Sequence, residues 1–507
     1  MMENIIILYD ENNFYEKESL FENKNALELT REAFEKINFN SEVKIEILKD
    51  CQNLTELLEK ICEKSKEFNS KNIIFSFADC PFINKSLTEE LFKTHIKYQA
   101  EYTFADGYPL GFSPEILNVG TVNILKELSK TQEIGKKSVE RESLFNLIKA
   151  DINSFEIESV LSETDFRIFR FAFHCGKKEN FLACKQLFLE KKSDDVEDLS
   201  KTAAKSVKIL KTVPSFYNIQ ICDSINQGTI FSPYEEQYKI KNKISPFESK
   251  INMSFENFSN LISKIADFSE ESVINLSGWG EPLNHPEILK IIEKVLSYEG
   301  LSIYLETDGI NVTDDFCIKL QEILNKSKKR KNNFPKMMIG ILLDSFSKEK
   351  YQQIHKNGDF EKANEAIIKL EKILPKNVYP VFTRINENED ELESFFRKWN
   401  KKESSSCGEC IINKYENFAG LLPERKPADL SPLERNPCWH LRRDMTILSN
   451  GDVPLCRICL FGNICGNVFQ DSLENIWNRF DECLKEHIEE KYNDICRKCD
   501  EYYTFNF

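Results

Sequence analysis

Cysteine residues are concentrated near the carboxyl end of this chain. Nine of the sixteen fall between Cys407 and Cys499, and the other seven are scattered over the first 406 positions. Scattered cysteines are usually small core residues. We expect a cytoplasmic protein, in which thiols stay reduced, so clustered cysteines are metal ligands or reactive groups more often than disulfides. The distribution therefore points to metal chemistry in the final segment.

Four of these cysteines have spacings that suit one metal centre. Cys496 and Cys499 form a Cys-x2-Cys pair, which sets two sulfurs on one tight turn. The dipeptide Asn450-Gly451 predicts a β-hairpin between Cys438 and Cys456, which would bring the second pair together. Four thiolates suit a structural zinc ion or a 4Fe–4S cluster, and spacing alone does not choose between them.

A carboxylate near the start of the chain is a second candidate for chemistry. Asp79 lies in the sequence FADCPF, at the end of a buried apolar run. Ligands bind at the carboxyl ends of the strands in α/β sheets. An aspartate there could hold a divalent cation against phosphate oxygens. The alternative is that Asp79 stabilises a turn or caps a helix.

The third feature is the loop INQGTIFSPY at residues 225–234. It follows the short apolar run YNIQI and contains a glycine, which is typical of loops that wrap an iron–sulfur cluster. The loop nevertheless has no cysteine, so the usual thiolate ligands of such a cluster are missing.

Three segments must position these residues. A chain of 507 residues predicts about three domains, at roughly 150 residues each. Residues 1–205 alternate strands and helices, which predicts an α/β domain with a mainly parallel sheet. Residues 206–405 contain five or six βα units, which predict a partial (β/α) barrel with ligands at the carboxyl ends of its strands. Residues 406–507 form the cysteine-rich domain.

The central segment resembles the radical S-adenosylmethionine (radical SAM) superfamily. SGWGEPLNHPEI is similar to its Gly-Gly-Glu-Pro motif, which implies that Gly280 and Glu281 belong to a vestigial S-adenosylmethionine site. The superfamily's first loop is Cys-x3-Cys-x2-Cys, and Ile225, Thr229 and Ser232 stand at those three positions. Neither isoleucine nor neutral hydroxyls replace thiolates on iron. Radical generation by the usual route is therefore not expected, and binding of S-adenosylmethionine is in doubt.

The final segment resembles the SPASM domain, which carries auxiliary 4Fe–4S clusters beside many radical SAM barrels. The elements Cys, Gly-x4-Cys, Gly-Asn, Ser-Leu-x-x-Ile-Trp and Cys-x2-Cys occur here in order. The resemblance implies one 4Fe–4S cluster held by Cys438, Cys456, Cys496 and Cys499. A second cluster is left open, and the remaining cysteines that could serve it are Cys407, Cys410, Cys459, Cys465 and Cys483.

The first segment resembles the nucleotidyltransferase-like sugar-nucleotide domains, and Asp79 matches their metal-binding position. Those domains need a glycine-rich phosphate loop after the first strand, where this chain reads YDENNFYEK, without glycine and with three acidic residues. A triphosphate would meet repulsion there. The three segments together resemble the spiro-SPASM family, which brings an architecture and cluster binding but no substrate.

Composition argues against two classes of partner. The net charge is −15, so most of the surface would repel a nucleic acid. The one dense basic run, KSKKRKNN, follows an apparent helix, and we interpret it as a solvated helix end. No apolar run approaches the roughly 20 residues that span a bilayer. The partner is then an unidentified protein, peptide or redox partner.

Four functions follow from these features. The favoured one is a 4Fe–4S protein of the radical SAM lineage that does not cleave S-adenosylmethionine and uses its cluster for electron transfer, substrate anchoring or structure. The second is an active radical enzyme with an atypical cluster site. The third is a sugar-nucleotide transferase that works through Asp79, and the fourth is a scaffold in which the cluster only stabilises the tail.

Overall fold

A computed structural model describes residues 4–12, 14–331, 334–401, 404, 406, 408–428, 431–432 and 434–501. The chain divides into two compact units, Met1–Thr212 and Val213–Phe507. The predicted barrel and the predicted cysteine-rich domain both fall in the second unit. The boundaries predicted at 205 and 405 stay predictions.

The first unit is an α/β sandwich of helices on a sheet. Its strands are β1 (Asn4–Asp10), β2 (Val43–Lys49), β3 (Asn72–Phe77), β4 (Tyr102–Asp106), β5 (Glu115–Asn118) and β6 (Ile157–Leu161). Its helices are α1 (Phe14–Lys17), α2 (Ala26–Glu35), α3 (Leu54–Glu67), α4 (Lys85–Tyr98), α5 (Val119–Thr131), α6 (Ser143–Lys149), α7 (Lys178–Glu190), α8 (Val196–Lys205) and α9 (Val207–Leu210).

The sheet of the first unit is parallel at its centre. Its strand order is β2-β1-β3-β5-β4-β6, and β1, which is buried along its whole length, pairs in parallel with both β2 and β3. Strand β5 runs antiparallel to β3 and to β4. The short connection from β4 to β5 explains this reversal, because a parallel pair needs a long crossover. The predicted α/β domain is confirmed.

The second unit contains the rest of the chain. Its strands are β7 (Phe216–Ile219), β8 (Gly228–Thr229), β9 (Ser272–Asn275), β10 (Leu301–Thr307), β11 (Met337–Leu342), β12 (His355–Lys356), β13 (Val378–Arg384), β14 (Ile411–Lys414), β15 (Asp444–Ile447), β16 (Asp452–Pro454) and β17 (Ile464–Asn467). Its helices are α10 (Tyr234–Asn242), α11 (Phe255–Ser269), α12 (Ile288–Leu296), α13 (Asp314–Lys326), α14 (Lys348–Ile354), α15 (Phe360–Glu371), α16 (Leu392–Trp399), α17 (Trp439–Arg443), α18 (Leu473–Asn478), α19 (Asp481–Ile488) and α20 (Asp494–Lys498).

A curled parallel sheet forms the half-barrel of the second unit. Its strand order is β14-β13-β11-β10-β9-β7-β15, and each neighbouring pair with a described register is parallel. Amphipathic helices follow most of the strands, so each βα unit buries the apolar face of its helix on the sheet. The predicted partial barrel is confirmed, together with a further strand from the cysteine-rich segment.

That further strand departs from the hairpin predicted around Asn450-Gly451. The turn forms, since Leu448 N–H donates to Asp452 C=O at 2.8 Å and Gly451 N–H donates to Leu448 C=O at 2.9 Å. However, β15 pairs in parallel with β7, and β16 pairs with β17. All four residues of β15 are buried, which suits a strand covered on both faces of a parallel sheet. The hairpin pairing was therefore wrong.

No helix within the described ranges is long and apolar enough to cross a membrane. The cytoplasmic location stays a prediction.

The basic run KSKKRKNN contains one buried residue, which corrects its interpretation as a solvated helix end. Arg330 is only 4% exposed. Its guanidinium donates to Leu296 C=O at 2.9 Å and to Leu301 C=O at 2.8 Å, between the end of α12 and the start of β10. It also donates to the Tyr298 carbonyl. The side chain therefore hydrogen-bonds the Leu296 carbonyl at the end of α12 and two carbonyls of the segment that leads into β10.

Replacing Arg330 with alanine should lower the free energy of unfolding by about 2–4 kcal/mol, because buried carbonyl groups lose a charged donor. Urea unfolding of the full chain would measure the loss. Lys329→Ala is the matched control, since Lys329 lies in the same run and is exposed; its effect should stay within about 0.5 kcal/mol. Equal effects of the two variants would contradict the structural role of Arg330.

Candidate metal centre

The four cysteines predicted as ligands line one cavity. Cys438 immediately precedes α17, Cys456 follows β16, and Cys496 and Cys499 lie within and after α20. All four border the same pocket although they come from three separate stretches of the chain. Their assignment as ligands stays a prediction, and this convergence is the observation on which it depends.

Local hydrogen bonds fix the turn that carries the last two sulfurs. The Asn493 side chain accepts from Cys496 N–H at 2.8 Å and so caps the start of α20. Cys499 N–H donates to Cys496 C=O at 3.2 Å, and Glu501 N–H points at Cys499 Sγ at 3.2 Å. Arg435, which also lines the cavity, donates to the Cys496 carbonyl. The turn is thus held in place by these bonds, and both of its thiols border the cavity.

The four thiols differ in acidity. Burial raises the pKa of Cys438 to about 12 and raises the pKa of Cys499 further. A hydrogen bond from Cys483 lowers the pKa of Cys496 to about 5, and His487 acts in the same direction while burial opposes both. A bound metal would remove the remaining protons, because a coordinating thiol is deprotonated.

Further donor groups lie beside these four. Cys459 Sγ is 3.6 Å from Cys456 Sγ. The ligand atoms of Cys483, His487 and Cys496 all lie within 4.8 Å of one another. Sequence reasoning had placed Cys459 and Cys483 only in an open second set and had not singled out His487. The missed signals were the Cys-x2-Cys spacing of Cys456 with Cys459, and a cysteine and a histidine four residues apart on α19.

Two other cysteines of the open second set can be placed in the structure. Cys465 Sγ contacts Asn463 C=O at 3.7 Å. Cys410 is half-buried before β14. Cys407 lies outside the described residues. The number of clusters stays open. His440, expected to be a hydrogen-bonded residue, has its Nδ1 2.6 Å from Asp444 Oδ2.

Of the three residues expected to stand at cysteine positions, Ile225 lies in an apolar cluster. Ile225 packs with Trp279 against the buried Tyr234, Tyr238 and Leu460. Trp279 and Ile225 thus contact the same apolar cluster and bury apolar surface on it.

The rest of the loop is held by backbone bonds. Gly228 and Thr229 form β8, which pairs antiparallel with β12, and Thr229 lies opposite His355. Ser232 N–H donates to Thr229 C=O at 3.2 Å. Hydrogen bonds within the chain therefore fix the backbone around Thr229 and Ser232.

Glu281 is buried and uses its carboxylate oxygens inside the protein. It accepts from Thr307 Oγ1 at 2.6 Å, from Leu283 N–H at 3.1 Å and from Asp308 N–H at 3.0 Å. Burial, and then the neighbouring Asp308 carboxyl, raise the pKa of Glu281 well above its ordinary value. A nearby cationic group would favour the ionised form of Glu281. The carboxylate would then be shared between that group and its three present hydrogen-bond donors.

Gly280 makes the tightest backbone approach in this region. A Cβ atom at position 280 would lie 2.0 Å from the carbonyl oxygen of Cys222. The Cys222 thiol in turn contacts the Glu281 carbonyl oxygen at 2.9 Å, and burial raises the pKa of Cys222 to about 12. In this chain the glycine is thus needed for packing of the mouth itself. Whether Gly280 and Glu281 contact a cofactor stays a prediction.

Asp79 in the first unit already has a positive partner. Its Oδ2 lies 2.6 Å from Arg141 Nη2 and 3.7 Å from His174 Nδ1. Burial alone would raise the pKa of Asp79, but the charge of Arg141 and the hydrogen bond of His174 outweigh it and hold that pKa well below its usual range. A divalent cation would have to displace the guanidinium, and its binding here stays a prediction.

Comparison with known proteins identifies the class of the tail. The SPASM family model, described as an iron–sulfur cluster-binding domain, matches residues 438–500. The protein is therefore an α/β protein with a carboxyl-terminal SPASM domain, which confirms the domain predicted from the sequence. The matched residues include all four predicted ligands.

One relative covers most of the chain. An uncharacterized protein of Treponema pallidum (strain Nichols) is 34% identical over 373 residues, which are 72% of this chain and 98% of that protein. This chain belongs to the same family as the Treponema protein.

Solved structures are more distant. Streptococcus suis SuiB bound to S-adenosylmethionine is 13% identical, with a TM-score of 0.41 over 64% of this chain and 82% of that one. A cytidylyltransferase from Leptospira borgpetersenii is 15% identical, with a TM-score of 0.35 over 42% of this chain and 98% of that one. At these scores the strand order and directions given above remain the basis of the fold description.

Gly280→Ala should lower the free energy of unfolding by about 1–3 kcal/mol, because the added methyl group overlaps the Cys222 carbonyl and the mouth must shift. Gly462→Ala is a control, since the nearest atom to its Cβ is 3.5 Å away, an ordinary contact. Thermal unfolding of both variants checks the prediction. An unchanged midpoint for Gly280→Ala would show that the mouth is not packed as described.

Proposed function

We propose that the tail binds one 4Fe–4S cluster through Cys438, Cys456, Cys496 and Cys499 and that the cluster transfers electrons. The observation that carries the proposal is the convergence of these four thiols on one cavity. The SPASM match over residues 438–500 supports iron and sulfide over zinc. When bound, such a cluster supplies a one-electron redox centre.

The donor set fits this cofactor. Fe–S clusters are held by four thiolates, and the cavity offers four cysteine side chains. Arg435 and Arg457 also border it, and their positive charges would offset the negative charge of a thiolate-bound cluster. The four cysteines are half-buried, so a cluster would lie near the protein surface and within reach of a redox partner.

We further propose that the half-barrel does not cleave S-adenosylmethionine. Ile225 is committed to the apolar cluster with Trp279, and Thr229 lies in the pairing of β8 with β12. Cys222, the nearest cysteine in the sequence, is buried and contacts the Glu281 carbonyl. These groups support a mouth that is closed by packing, where a radical-generating cluster would need three thiolates.

Chain purified without oxygen should contain about four irons and four sulfides, and reduction should produce the paramagnetic signal of a reduced 4Fe–4S cluster. Cys456→Ser and Cys499→Ser should lose most of the iron, because each removes one of the four ligands. Cys465→Ser should keep it. Zinc without sulfide in the unaltered chain would contradict the proposal, and so would full iron content in both ligand variants.

The second expectation concerns catalysis. Reduced chain mixed with S-adenosylmethionine should form no 5′-deoxyadenosine above the background without protein, because the mouth lacks thiolates for an iron that would bind and cleave the cofactor. Chromatographic detection of 5′-deoxyadenosine checks this. Its formation in stoichiometric amounts would overturn the assignment and favour an active radical enzyme.

A further inference from the structure

A second group of metal-binding side chains lies at one end of the cysteine cavity. Cys483 and His487 are one turn apart on α19 and face Cys496 on α20. The ligand atoms of these three residues lie within 4.8 Å of one another. Among the described residues this is the one set of three histidine, cysteine or carboxylate groups found at such distances.

The state of His487 indicates that the group is suited to bind a metal ion. The side chain is only 2% exposed, and it lines the cavity. Its Nε2 atom is buried and has no hydrogen-bond partner among the described residues. A buried ring nitrogen without a partner is unfavourable unless a ligand satisfies it. Its Nδ1 accepts from Cys438 N–H at 3.4 Å, too long a contact to fix the ring tautomer.

We propose that Cys483, His487 and Cys496 bind a single zinc-type ion when the tail lacks its iron–sulfur cluster. Two thiolates and one imidazole are ligands that Zn²⁺ prefers, and three protein ligands leave a fourth position for water or another molecule. Cys496 belongs to this set and to the proposed cluster ligands. The ion and the cluster therefore exclude each other, a consequence that rests on the proposed function.

The test uses Co²⁺ as a coloured substitute for Zn²⁺ in the full chain. The variant Cys456→Ser, Cys499→Ser removes half of the proposed cluster ligands and none of the second group. Freed of iron, this variant should bind about one Co²⁺ per chain, with visible bands of a four-coordinate ion and charge-transfer intensity for two thiolates. In the unaltered chain freed of iron, Co²⁺ bound by the four proposed cluster ligands would instead show charge-transfer intensity for four thiolates.

Adding His487→Ala to that variant should weaken Co²⁺ binding by about tenfold or more, as loss of a metal-site residue does. Adding Cys483→Ala instead, which removes a smaller side chain, should weaken Co²⁺ binding to the same extent. Thermal unfolding shows whether each variant folds. Cys465→Ser should change nothing. Co²⁺ affinity that is unaltered by both His487→Ala and Cys483→Ala would overturn the proposal.

Iron content separates this proposal from the previous one. In the otherwise unaltered chain, His487→Ala should still take up iron and sulfide, because the four proposed cluster ligands remain. Loss of iron uptake in His487→Ala would instead show that this residue serves the cluster and not a separate ion. If the chain takes up no iron under any condition, the cluster is refuted, and the Co²⁺ titration of the double-serine variant still decides the second group.

Discussion

The tail depends on bringing sulfur atoms from three separate stretches of chain to one cavity. Each of these stretches is fixed by contacts within the chain. Strand β15 is fixed by pairing with β7, strand β16 by pairing with β17, and α20 by its Asn493 cap. The parallel pairing of β15 is the decisive one, because it makes the segment after Cys438 part of the half-barrel sheet.

An apolar cluster stabilises the loop at residues 225–234. Here Trp279 supplies a large apolar surface, and Ile225 packs with it against Tyr234 and Tyr238. The tryptophan ring lies nearly parallel to that of Tyr234, at 10° and with centroids 6.0 Å apart. Ile225 and Trp279 therefore both bury apolar surface on this aromatic cluster.

Local sequence signals predicted most of the elements, whereas long-range pairing and burial were harder to predict. The βα alternation predicted the half-barrel, and the Cys-x2-Cys spacing predicted the turn that carries Cys496 and Cys499. The pairing of β15 was missed because Asn450-Gly451 is a strong local hairpin signal, while a partner strand over two hundred residues away leaves no local trace. Arg330 was misread for a related reason, since its burial depends on carbonyl groups of another βα unit.

The buried carboxyl groups of Asp79 and Glu281 differ in how the surrounding residues stabilise a negative charge. Asp79 is held ionised by Arg141, so the protein supplies its own cation there. Glu281 has hydrogen-bond donors but a raised pKa, because burial, and then the like charge of Asp308 beside it, disfavour its ionised form. A cationic ligand would therefore have to displace a guanidinium at Asp79, whereas at Glu281 it would relieve an existing repulsion. Glu281 is thus electrostatically better prepared for a positive group than Asp79 is.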